Sequence, residues 1–181
     1  MFSQARETAT IAAGKPPFPL HNIIAPGFLC AVSKLKSFLK YWLPVVIWMA
    51  VIFSASGDTK SAQRSSRLIE PFIRLLFPNL SQDELWPIVV FFRKCAHLTV
   101  YAVLALLSWR ALRASKQVAG WSWRAARNAW LIVVAYAVTD ETHQAFVPNR
   151  QGSPWDVLID SIGGAAGLLM LWAFGRWRKW W

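Results

Sequence analysis

Four apolar runs, each bounded by charge, constrain this 181-residue chain more than any other feature. They lie at about 41–56, 81–109, 125–144 and 156–175. A helix needs about 20 predominantly apolar residues to cross a hydrocarbon core of about 30 Å. Helices also satisfy their own backbone hydrogen bonds in lipid, where few other structures can. The expected fold is therefore an all-α membrane protein with four transmembrane helices in a bundle. Two local signals support the boundaries. Ser81 is followed three residues later by Glu84, a capping-box pattern, and the first run stops at Gly57 and Asp58.

Charge sets the orientation. The stretch up to Lys40, the connection 110–127 and the end from Arg176 hold most of the 20 Lys and Arg residues and a single acid, Glu7. By the positive-inside rule these segments are cytoplasmic, so the N and C termini are expected inside. The other two connections, which carry the remaining acids, are expected outside. The net charge of +11 would also suit a nucleic-acid binder, but the basic residues come in blocks between apolar runs, so no nucleic-acid partner is expected.

Residues 1–33 mix Pro and Gly with little periodicity and read as a flexible cytoplasmic tail. The tail lacks the ordered basic, apolar and small-residue regions of a signal peptide, so no cleavage is expected. Residues 34–181 form the transmembrane domain. Between the first two spans, Lys60, Arg64, Arg67 and Arg74 share a helical face, with Ile69, Phe72, Ile73 and Leu76 supplying apolar surface. That pattern predicts an amphipathic extracytoplasmic helix lying on the membrane. Trp172, Trp177, Trp180 and Trp181 among Arg176, Arg178 and Lys179 predict an interfacial anchor.

The polar residues inside the spans point to a site. An ionisable group at mid-depth costs about 2.5–3.5 kcal/mol on insertion scales, so such groups are functional candidates by default. At a rise of about 1.5 Å per residue, Lys94 and His97 lie about 24 and 20 Å outward from Arg110. Asp140 lies about 20 Å from Arg127, and Asp160 about 24 Å from Arg176. All share one level near the outer boundary. Helical spacing also gives each span one polar stripe: Lys94, His97 and Tyr101; Tyr136, Asp140, His143 and Gln144; Asp156, Asp160, Gly163 and Gly167. The Gly163-x-x-x-Gly167 pair allows close helix approach.

Three chemistries fit these residues, and spacing does not choose among them. The charges could form a buried ion-pair network that fixes helix registry. They could instead bind, and act on, an anionic lipid headgroup. Lys94 and Arg150 would then hold the anion, Tyr101, Gln144, Asp156 and Asp160 would line the site, and His97 with Asp140 or Glu141 would handle protons. A metal held by His97, His143 and carboxylates lacks any HExxH-like spacing and is opposed by nearby cations, so no metal ligand is assigned. Transport is a further reading that would require an oligomer. There is no nucleophile elbow, phosphate loop or nucleotide fingerprint, and the residues name no cofactor.

The segment RKCAHLTVYAVLALL at 93–107, followed by YAVTDETHQAFVPNRQGSPWDVLIDSIGGAAG at 136–167, resembles the VanZ-like family of small bacterial membrane proteins. On the matching positions the resemblance implies Lys94, His97, Tyr101, Asp140, Glu141, Gln144, Phe146, Arg150, Asp156, Gly163 and Gly167 as signature residues. The chain departs from the pattern at Asp160, where asparagine is usual. The resemblance implies a multi-pass protein of the bacterial cytoplasmic membrane with a cell-envelope role linked to teicoplanin-type glycopeptide resistance. Its implied partners are membrane lipids and a lipid-linked envelope precursor or lipoglycopeptide. It implies no particular reaction.

Overall fold

The computed structural model describes residues 26–57, 61–115, 120–148 and 152–181. Among them are five helices and no strand: α1 Pro26–Gly57, α2 Ser61–Leu76, α3 Gln82–Ser115, α4 Trp123–Ala145 and α5 Pro154–Trp177. The chain divides into two compact units, Met1–Leu35 and Lys36–Trp181. Only the start of α1 is described in the first unit. The second holds the rest of α1 and the other four helices. The expected tail lies outside the described residues up to position 25. From Pro26 the chain is helical, well upstream of the span expected at 41. Proline suits a helix start, since its φ is already helical and its missing N–H would find no partner there.

Local chemistry explains the helix starts. At α3, the Ser81 backbone N–H donates to Glu84 Oε2 at 3.0 Å, and the Glu84 N–H reaches Ser81 Oγ at 3.4 Å. This is the reciprocal capping box expected from the sequence. Ser122 caps α4 by accepting from the Ala125 N–H, and Ser153 caps α5 by accepting from the Trp155 N–H, with Pro154 opening the helix.

Three of the described helices, rather than the expected four, are long and apolar enough to cross a membrane: Val32–Ser56, Gln82–Ala114 and Pro154–Trp177. α4 has 23 residues but carries Arg124 and Arg127 near one end and Asp140 and Glu141 near the other, which leaves its apolar middle short. Large apolar side chains point outward from the bundle, including Val46 and Ile47 on α1, Leu131 and Val138 on α4, and Leu169 and Met170 on α5. Small residues face inward, among them Ala105, Ala129, Ala137, Gly163 and Gly167. That inside-out distribution is the one lipid favours, because packing rather than water exclusion holds such helices together.

The α3, α4 and α5 helices form the close-packed centre. A Cβ on Gly163 would stand 2.8 Å from Leu98 Cα, one on Gly167 2.8 Å from Ala102 Cβ, and one on Gly164 2.8 Å from Val133 Cγ1. All three glycines are therefore needed for α5 to reach its neighbours. α1 is held by side chains that bridge to backbone: the Trp48 indole donates to Val100 O at 2.9 Å, and the Tyr136 hydroxyl donates to Met49 O. α2 packs on the start of α3 through a small separate core of Ile73, Leu85 and Val89. Phe72, Leu75 and Leu76 remain exposed on it, and Arg74 pairs with Glu70. Lys60 lies outside the described residues.

The chain end folds back on α5. Lys179 adopts φ 56°, and Trp180 N–H donates to Gly175 O at 2.8 Å while Lys179 N–H donates to Arg176 O at 3.2 Å. This double bond pattern is a Schellman stop with lysine in the left-handed position. It turns Trp181 onto the bare backbone of Gly175, where its ring lies near those of Trp109 and Trp121. Trp177 and Trp180 stay exposed, whereas Trp181 is partly buried against the core at that end.

Candidate functional site

Asp140 is the centre of the polar network. Its position on α4, one turn before the helix end, brings it opposite Tyr101 of α3 and Ser56 of α1. Its side chain is 2% exposed, and Oδ2 accepts from Ser56 Oγ at 2.7 Å, Tyr101 Oη at 3.2 Å and Gln144 Nε2 at 3.1 Å. Gln144, one turn along, also donates to Ser56 Oγ at 2.8 Å and to Glu141 Oε1 at 3.1 Å. One carboxylate thus ties three helices together. Each donor offsets part of the cost of removing its charge from water.

Glu141 turns to the connection before α5. Its Oε2 accepts from the Ser153 backbone N–H at 2.8 Å. A Cβ at Gly152 would collide with the Glu141 backbone, so glycine is what lets the connection lie against the end of α4. The carboxylate therefore anchors the residue that caps α5.

The remaining charges pair between α3 and α5. His97 Nδ1 lies 3.3 Å from Asp160 Oδ1, and Lys94 pairs with Asp156. The two pairs follow from helical spacing, since Lys94 and His97 are three apart and Asp156 and Asp160 are four apart, so each duo repeats on one face. Glycine packing below them, at Gly163 and Gly167, brings those faces into range. Exposure is uneven: the Asp160 side chain is fully buried, while those of His97 and Lys94 are 33% and 40% exposed. Electrostatics joins both halves, because Asp160 lies within Coulombic reach of Asp140, His97 and Lys94. Asp140 Oδ1 and Asp160 Oδ2 are buried and accept no hydrogen bond among the described residues.

Lys94, His97, Tyr101, Asp140, Glu141, Gln144, Asp156 and Asp160 thus meet in one connected region. Arg150 lies outside the described residues. The pairing differs from the sequence expectation in one respect: the carboxylate beside His97 is Asp160, not Asp140 or Glu141. Asp140 is turned the other way by Ser56 and Gln144.

Sequence reasoning assigned the site to three helices and missed Ser56, which brings in α1. Its only signal is a serine at the end of an otherwise apolar span. The Ser153 N–H was also missed, because backbone donors leave no mark in sequence. Among the described residues the His143 ring does not join the network; it stacks on Phe53 at 4.1 Å between centroids. Among the described residues, no group of three or more His, Cys, Asp and Glu side chains is arranged to hold a metal ion.

The chain matches no curated protein and no solved structure. One family model does match, VanZ/LLP1, over residues 41–175. The match reaches further towards the N-terminus than the two motifs at 93–107 and 136–167, taking in the part of α1 that carries Ser56. It therefore spans every member of the network and the glycines that bring α5 to α3, and with three helices fit to cross a membrane the chain is a membrane protein that belongs to the VanZ/LLP1 family.

Proposed function

We propose that this is a cell-envelope protein of the bacterial cytoplasmic membrane whose outer polar site binds the head of an anionic lipid-linked or amphiphilic molecule, with His97 placed to move a proton. The observation that carries this reading is the His97–Asp160 pair, a half-exposed imidazole against a fully buried carboxylate. If Nδ1–H donates to Asp160, the carboxylate fixes the tautomer and leaves Nε2 as the basic nitrogen. Lys94, also half-exposed, supplies positive charge beside it.

α4 counts as the fourth crossing in this reading. It is about 35 Å long at the helical rise, and Leu131 and Val138 on its outer face suit lipid. Both termini are then cytoplasmic and the polar site lies towards the outer leaflet. In this reading, the link to teicoplanin-type resistance that the resemblance implies would act through the bound envelope molecule.

A second reading is favoured by the Asp140 network itself. Ser56, Tyr101 and Gln144 all converge on one carboxylate oxygen, as they would if the charges only locked the bundle. Native mass spectrometry of the purified protein, His97→Ala and Asp160→Asn separates the two. A co-purified amphiphile lost in both variants, with thermal unfolding unchanged, supports the site. A bare wild-type protein whose variants unfold earlier supports the lock.

A further inference from the structure

A second polar feature lies at the other end of the bundle, about 14 Å along α3 from Tyr101 to Arg110. There α1, α3 and α5 leave a cleft of about 650 Å³, lined by Tyr41, Leu106, Trp109, Arg110, Arg113 and Leu171 among others. It shares no residue with the Asp140 network.

Its chemistry is one-sided. Arg110 and Arg113 are three residues apart and so share a helix face. The Arg110 guanidinium lies 5.4 Å from the centroid of the Tyr41 ring, and Lys40 lies 5.3 Å from the same ring. Arg113 lies 5.0 Å from the Trp109 ring. A guanidinium against an aromatic face can present N–H groups at its edge to phosphate oxygens alongside its other contacts. Among the described residues, no carboxylate lines the cleft.

Its depth is marked independently. The rings of Trp109, Trp121, Trp123, Trp172 and Trp181 form a continuous series of contacts at this end. Tryptophan collects at the level of lipid headgroups. Leu106 and Leu171 extend the cleft towards the apolar part of the bundle, so it pairs a basic mouth with an apolar wall. A free phosphate would leave that wall bare, whereas a phospholipid would fill both parts. Basic pockets between transmembrane helices at headgroup depth suit such lipids. We infer that this cleft binds an anionic phospholipid, its phosphate held by Arg110 and Arg113 and its upper chain against Leu106 and Leu171.

The test presents the detergent-solubilised full chain with equimolar phosphatidylglycerol and phosphatidylcholine, and reads the ratio of lipid adducts by native mass spectrometry. The expected preference for phosphatidylglycerol is about tenfold, the size of one charge-assisted hydrogen bond. R110Q/R113Q should bring the ratio near unity. Leu171→Trp, which fills the cleft without changing its charge, should also abolish the preference, and it decides alone if the double variant loses its helical circular dichroism. His97→Ala, at the other end, should leave the ratio unchanged. A wild-type ratio near unity, a preference that survives either folded variant, or displacement of the lipid by millimolar inorganic phosphate overturns the inference.

Discussion

A carboxylate that is 2% exposed, as Asp140 is, persists in an apolar bundle because donors surround it. Asp140→Asn keeps an acceptor oxygen for Ser56 and Tyr101 and should change stability little. Asp140→Ala withdraws the shared acceptor from Ser56, Tyr101 and Gln144, and should lower unfolding stability by about 2–3 kcal/mol in detergent. Equal losses in the two variants would show that charge, not hydrogen bonding, holds the network. Gly163 is the second residue of this kind. A Cβ there would meet backbone atoms of Leu98, which cannot swing aside as a side chain can. Gly163→Val should cost about 1–3 kcal/mol in the same assay, while Ala166→Val at an exposed position should be near neutral. The sequence showed Gly163 and Gly167 as a close-packing pair, but Leu98 and Ala102 as the atoms they meet belong to another helix and another register.

At the scale of elements, the α5 stop is the most testable feature. A lysine with φ 56° is in a region that costs L-residues about 1–2 kcal/mol and glycine almost nothing. Lys179→Gly should therefore raise the thermal midpoint, corresponding to about 1 kcal/mol. Trp181→Ala removes the ring that covers Gly175 and should lower stability by about 2 kcal/mol, with a loss of near-ultraviolet dichroism from Trp109 and Trp121. An unchanged near-ultraviolet signal would mean that the end does not fold back. The start of α3 was visible beforehand in the Ser81–Glu84 box, because capping is local in the chain. The fold-back was not, since four clustered tryptophans beside basic residues fit an anchor wherever each ring finally points.

At the scale of the whole molecule, the proposed topology turns on the crossing of α4. In a chain with Cys30 and Cys95 replaced, Arg124→Cys and Phe146→Cys place thiols at opposite ends of α4, both exposed. A membrane-impermeant thiol reagent should label position 146 in intact cells and position 124 only after permeabilisation. Labelling of both under one condition would mean that α4 does not span. The sequence by itself determined the class of this protein: apolar run length, the blocks of Lys and Arg and helical periodicity are one-dimensional quantities, and they sufficed for a helical membrane protein and for which residues share a stripe. Only the tertiary structure decided the partners. Asp160 rather than Asp140 or Glu141 faces His97, and Ser56 brings α1 to Asp140, because pairing depends on how far glycine contacts let α5 approach α3 and on the rotation of each helix about its axis. Those quantities arise from packing between helices and have no counterpart along the chain.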